Sequence, residues 1–381
     1  MNRPHYLDHN ATTRLLPEAL DAMTRAAQEA WANASSLHEP GRKAKQVIED
    51  AREQLAALIH ADPSTLVFTG GGTEACNFAL FGATQALKEK GKHLVVSAIE
   101  HPAVKAGAKA LEEQGWRVTW IKPDADGLIG PETVDEALRK DTVLCAVMAA
   151  NNEVGTVQPI REIGTLLRKK GVIFFSDMTQ ALGKIPVDLS ETAVDLAAFV
   201  GHKIGGPKGV GALYVRKGLQ LDPFVRGGGQ ERGLRGGTEN VPGIAGFGAA
   251  AVWWKRHGDE ERQRAQALRD ALQSALMERI PGLKINAASD PRLPNTLHAT
   301  FPGCRSDVLV MALDLRGLSA SAGSACASGS VKPSEVLLAM GRSAEEAVSS
   351  LRFSLGFGNT AEEIPVMAEA IAQAHATARQ A

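Results

Sequence analysis

The sequence predicts an α/β protein with a mostly parallel, seven-stranded sheet flanked by helices, and with a second, smaller α+β domain. Two observations carry this expectation. Seven short apolar or β-branched runs alternate with helical patterns, which is the signature of βαβ units. After about Lys255 the texture changes to a charged amphipathic helix, proline-rich connections, a cysteine-containing run and a final helix. The length of 381 residues leaves room for two or three domains.

In chain order the seven runs are Leu66–Thr69, His93–Ser97, Val118–Ile121, Val143–Ala149, Val172–Ser176, Val194–Val200 and Val210–Val215. Val241–Trp254 is apolar but carries three glycines and is too short to cross a bilayer, so it reads as a buried helix. The charged helix after it runs to Ile280. The expected large domain is 15–255, and residues 1–14 join 256–381 in the small one.

Composition narrows the function. The formal net charge is −1 and the pI about 6.8, so no electrostatic footprint for nucleic acid or an anionic membrane exists. A small, weakly charged ligand is the better expectation. Met1–Asn10 has no apolar core, which predicts neither secretion signal nor transit peptide and a cytoplasmic product. Cys76, Cys145, Cys304 and Cys326 are widely separated, with neither metal-ligand spacing nor disulfide density.

In open α/β sheets, ligands sit beyond the carboxyl ends of the strands. Here those ends are chemically loaded: Gly70-Gly71-Gly72-Thr73-Glu74, Glu100-His101, Asn151-Asn152-Glu153, Asp177 with Gln180, and His202-Lys203. Gly72 and Thr73 open a helix whose N–H groups and hydroxyl suit a phosphate. The spacing is not that of a dinucleotide fold. Lys203 lies between glycines with His202 and Lys208 nearby, so it loses its proton more easily than a free lysine and is a candidate Schiff-base former. No other lysine is expected at a strand end, and Lys208 is the nearest substitute. Asp177 suits either the ring nitrogen of pyridoxal phosphate or a helix cap. His101 suits a stacking or proton-relay role, or an idle loop position. Asn152 and Gln180 supply amides to a ligand or to the fold.

Two further signals lie in the second half. Ser319–Ser330 contains no bulky or charged side chain around Cys326, and its composition favours a reactive thiol over a buried one. Arg352, among apolar neighbours, suits a substrate carboxylate or a structural ion pair. The arginines and glycines of 226–238 read either as a solvated loop or as further phosphate contacts.

Taken together, Tyr6–Thr13, Thr69–Asn77, Glu100-His101, Asn151–Glu153, Ser176–Gln180, Gly201–Lys203, Arg235–Asn240, Leu293–Thr296, Ser321–Ser330 and Arg352–Ser354 resemble the cysteine desulfurases of the nitrogen-fixation and iron–sulfur-cluster type. These are members of the class V aminotransferase family with the pyridoxal-phosphate-dependent transferase fold type I. The resemblance implies that Lys203 carries pyridoxal phosphate covalently, Asp177 pairs with the ring nitrogen, Gln180 bonds the phenolic oxygen and His101 stacks on the ring. Gly72, Thr73 and His202 would hold the phosphate, with Thr238 supplied across a homodimer. Asn152 and Arg352 would place the carboxylate of L-cysteine. Cys326 would receive the sulfur and pass it to an acceptor such as an iron–sulfur scaffold protein. No resident metal is implied, with Cys326 placed to contact a nascent iron–sulfur cluster.

The chain departs from the family pattern at several points. Val200 stands where a phosphate-binding serine is usual, Met178 replaces an alanine, His9 replaces an asparagine, and His298 stands where asparagine is common. A selenocysteine lyase or an aminotransferase would share the cofactor residues. The thiol at Cys326 separates the desulfurase from an aminotransferase.

Overall fold

The computed structural model describes residues 5–289, 291–322 and 332–380. Cys326 lies outside the described residues. The chain enters through strand β1 (His5–Tyr6) and two helices, α1 (Pro17–Glu29) and α2 (Glu39–Leu58). It then alternates through β2 (Leu66–Thr69), α3 (Gly72–Leu87), β3 (His93–Ser97), α4 (Pro102–Glu113), β4 (Arg117–Ile121), α5 (Pro131–Ala137), β5 (Thr142–Ala146) and α6 (Ile160–Lys170). Three strands with no long helix between them follow: β6 (Ile173–Asp177), β7 (Leu196–Val200) and β8 (Gly211–Val215).

These seven strands form one sheet in the order β2-β8-β7-β6-β5-β3-β4. Apolar side chains alternate between its two faces, as the period of a strand requires. Phe68, Val95, Phe199 and Ala212 join the core on one face, and Val67, Val96, Ala198 and Leu213 that on the other. Helices cover both, so the strands read as continuous apolar runs. The expectation of a mostly parallel sheet holds, with β8 alone reversed. Residues 201–210, which join β7 to β8, are too few for the crossover that a parallel neighbour needs. The strand order turns around between β3 and β5, which makes the ends of those strands the topological switch point.

The helix α7 (Val241–Arg279) is a single element where the sequence suggested two. Asn240 caps it by accepting from Gly243 N, and nothing after Trp254 stops it, because one glycine, Gly258, costs a helix only about 1 kcal/mol. Its first half packs on α1 and α2. The second half enters a separate cluster in which Leu268, Leu272 and Leu276 meet Leu7, Leu297 and Phe353.

The last elements are β9 (Lys284–Ile285), β10 (Thr296–Thr300), α8 (Ser306–Asp314), β11 (Leu318–Ser319), β12 (Ser321–Ala322), α9 (Glu335–Ala339), α10 (Ala344–Val348), β13 (Ser350–Ser354) and α11 (Ile364–Ala378). Of these, β10, α8, β11, β13 and α11 build that cluster, whereas Val336, Leu337 and Ala347 of α9 and α10 join the core of the large sheet. An antiparallel sheet runs β12-β13-β10-β9, and β1 pairs with β11. The segment after β1 therefore passes between the two halves of the molecule. Among the described residues no helix is long and apolar enough to cross a membrane.

Candidate active site

All five loaded segments stand at the carboxyl side of the large sheet. α3 begins two residues past β2, and its N-cap is Gly71, with no side chain to cap it. The backbone there has φ +153° and ψ −179°, a conformation open in practice only to glycine. Sixteen residues of aligned peptides thus end in first-turn N–H groups that the helix itself leaves unpaired. Thr73 is exposed beside them. Glu74, in the same turn, is neutralised by Arg235, whose Nε and Nη2 donate to its carboxylate at 2.8 and 3.1 Å. An anion cradle is left open, and the arginine of the 226–238 segment is committed to Glu74. A buried pair of Arg52 and Glu231 fixes the start of that segment. Thr238, further along it, is exposed.

Val200, at the end of β7, is buried and faces Gly72, at whose Cβ position its own Cβ would lie 3.7 Å away. It adds an apolar wall where the family pattern has a phosphate-binding hydroxyl.

Lys203 follows on the short turn Gly201–Lys203. Its Nζ donates to the carbonyl oxygens of Asn10 and Ala11 in the segment after β1. Burial, reinforced by the charge of Arg352, pulls its pKa down to about 8, against the opposing pull of Asp177 and Asp8. His202 Nδ1 lies 3.1 Å from Thr12 Oγ1, and burial with Lys203 and Lys208 nearby lowers its pKa to about 4. It is neutral at physiological pH.

Asp177 ends β6 and is buried. Its Oδ1 accepts from Thr179 N at 2.9 Å, while Oδ2 has only the Cys76 thiol at 3.7 Å. That oxygen retains capacity for a strong donor. His101 caps α4, its Nδ1 accepting from Ala103 N at 3.1 Å, so the neutral ring carries its proton on Nε2. Desolvation lowers its pKa, Asp177 opposing and Lys203 assisting.

Arg352 sits on β13 with its fork already engaged: Nη1 donates to Asn152 O at 2.8 Å and Nη2 to Asp8 Oδ1 at 2.6 Å. Its Nε is buried without a partner among the described residues. Of Asn152, the backbone carbonyl rather than the side-chain amide makes the contacts, to Arg352 and to Asn10 Nδ2. Gln180 donates from Nε2 to Asn10 O at 2.9 Å and accepts at Oε1 from Lys184.

Sequence reasoning gave no role to three residues. Asn10 joins both halves of the site, bonding Asn152, Gln180, Lys184 and Lys203 on one side and Asn295, Thr296 and Ser354 on the other. Lys184, rather than Lys208, is the second lysine here; its four-residue offset from Gln180 was the available signal. The third is Glu100, buried, with Oε1 accepting from Met148 N at 2.6 Å and Oε2 unpartnered. Burial raises its pKa to about 8, and Asp177 adds to the rise.

A carboxyl group whose folded pKa is raised contributes stability below its unfolded value near 4.5 and loses that contribution as pH climbs through about 8. Glu100→Gln keeps the acceptor for Met148 N and cannot ionise. Melting temperatures measured across this window are expected to decline less steeply in the variant, which becomes the more stable protein above pH 8. Parallel curves for the two proteins would show that Glu100 is ionised in the folded state.

The residues fit the cofactor that the sequence implied. An uncapped glycine helix start suits its phosphate, the Asp177 oxygen that meets only the weak Cys76 thiol donor suits a ring N–H, and Lys203 is an amine partly neutral near pH 8. Among the described residues no cluster of three or more His, Cys, Asp or Glu could hold a metal. Cys76, Cys145 and Cys304 are free and buried.

The family described as aminotransferase class-V matches residues 5–367. A cysteine desulfurase IscS of Clostridium botulinum strain Hall is 40% identical over 373 residues, 97% of this chain and 94% of that protein. One of Anaeromyxobacter dehalogenans is 45% identical over 367 residues, 96% and 90% of the two chains. Among solved structures, a NifS-like protein superposes with a TM-score of 0.92 at 35% identity, covering 98% of this chain and all of that one. Another, from Rickettsia africae, gives 0.89 at 32% identity and the same coverage.

Proposed function

Because the chain belongs to the class-V aminotransferase family, we propose that it is a pyridoxal-phosphate-dependent cysteine desulfurase, taking sulfur from L-cysteine, releasing L-alanine and leaving a persulfide on Cys326. The observation that carries this reading is Lys203, an amine with its pKa drawn down to about 8 in a crevice shared with Asp177 and His101.

When bound, pyridoxal phosphate supplies an electron sink for the pair left when the Cα–H bond of the substrate breaks. Lys203 would anchor it, and its amine would take up the Cα proton and return it. Asp177, with one oxygen held by no stronger donor than the Cys76 thiol, would hold the ring-nitrogen proton. The α3 start, with His202 and a Thr238 from a second subunit, receives the phosphate. Arg352, held by Asp8, and Asn152 receive the substrate carboxylate. The thiolate of Cys326 would attack the substrate sulfur, the C–S bond would break with its electron pair left toward Cβ, and Cβ would take a proton to give alanine.

The reading extends to a homodimer, a cytoplasmic setting and a persulfide acceptor such as an iron–sulfur scaffold. The division into 15–255 and 1–14 plus 256–381 is part of it, supported by the separate apolar cluster of the second half. The loaded enzyme is expected to convert L-cysteine to equal amounts of alanine and thiol-releasable sulfide. Formation of a keto acid from cysteine in the presence of an acceptor aldehyde or keto acid would identify an aminotransferase instead.

A further inference from the structure

Lys184 is buried on the turn that follows β6, four residues after Gln180. Its Nζ donates to Gln180 Oε1 and, at 2.7 Å, to Asn10 Oδ1. Burial and the charge of Lys203 push its pKa well below the ordinary lysine value, and both of its hydrogen bonds here are donated, to these two acceptors. The two ends of a glutamine amide are nearly the same size, so a free amide presents either one to a neighbour. Here the amine and the Asn10 carbonyl decide together, because an amide turned over would set its oxygen against Asn10 O and take from the amine one of its two acceptors. With oxygen turned to Lys184, the opposite end of Gln180 is the N–H₂ group, of which one hydrogen goes to Asn10 O at 2.9 Å and one remains. Asn10 is itself fixed: its Oδ1 also accepts from Asn295 Nδ2 at 3.1 Å, and its Nδ2 donates to Thr296 Oγ1 at 2.8 Å.

We propose that Lys184 is a positioning residue that locks Gln180 as a hydrogen-bond donor, so that the ligand atom met by Gln180 must be an acceptor. This rests on the reading above, in which that atom is the phenolic oxygen of pyridoxal phosphate. A methionine would fill the same buried volume without the cost of desolvating an amine, but it would leave the amide oxygen without its donor and the orientation of the amide to Asn10 O alone.

The test is the pH midpoint of the visible band of the bound cofactor. A donor at the phenolic oxygen weakens that oxygen's hold on the neighbouring proton and lowers the midpoint. In Lys184→Met the midpoint is expected to rise by about one pH unit, the scale of a lost charge-assisted hydrogen bond. Gln180→Leu gives a rise of the same size, and the double variant rises no further than either alone. Lys184→Gln keeps a donor toward Gln180, recovers part of the shift, and serves if the methionine variant does not fold. Unchanged midpoints in the Lys184 variants, with Gln180→Leu shifted, overturn the proposal and leave the site reading intact. A full Lys184→Met shift on top of Gln180→Leu also overturns it, because the lysine then acts through its charge. An unmoved midpoint in Gln180→Leu overturns the placement of Gln180 at the phenolic oxygen, and the proposal with it.

Discussion

Lys203→Ala is expected to lower turnover of L-cysteine by about 10²–10⁴-fold from loss of the general base alone, and to abolish covalent retention of the cofactor. Lys184 is too buried and too fully hydrogen-bonded to substitute. Dialysis should strip the variant of pyridoxal phosphate while the wild type stays yellow. In the wild-type apoprotein the attacking species is the neutral amine, so the rate of cofactor uptake rises with pH and levels off above about 8. A variant that keeps a covalently bound cofactor would place the reactive amine elsewhere.

Cys326→Ser is expected to leave cofactor binding and the cysteine-dependent change in the cofactor spectrum as they are, and to stop persulfide formation. Serine is similar in size but presents a hydroxyl, which at neutral pH is a far weaker nucleophile toward sulfur than a thiolate. The three other cysteines cannot replace it. Burial raises the thiols of Cys76, Cys145 and Cys304, the last to about 11. Sulfide release at the wild-type rate in the serine variant would move the chain toward a lyase that needs no thiol.

Much of this site was legible in the sequence because a doubly covered parallel sheet fixes where ligands bind. Each apolar run was long enough to read, so the polar residues just past it, from Gly72 to Lys203, had to share one rim. Strand direction was less legible. β8 is reversed because its connection is short, and connection length competes with the apolar pattern that marks a parallel strand. The helix α7 was read as two because its apolar and charged halves face different cores, although no residue between them ends a helix.

The contacts among loops were not legible at all. Asn10 meets Lys184 and Asn295 across most of the chain, without a periodic pattern to announce it. Asp8 was read as part of a motif, yet its task in the structure is to hold Arg352. Glu100 drew notice only as the neighbour of His101. Its orphaned oxygen and raised pKa follow from burial between β3 and β5, which sequence spacing does not encode.

The most direct measurement is the mass of the peptide containing Cys326 after brief exposure of the loaded enzyme to L-cysteine without reductant. The account predicts one added sulfur atom on that cysteine, absent in Lys203→Ala, with one alanine formed for each sulfur bound. Alanine formation with Cys326 unmodified, or added sulfur in the Lys203→Ala protein, would contradict it.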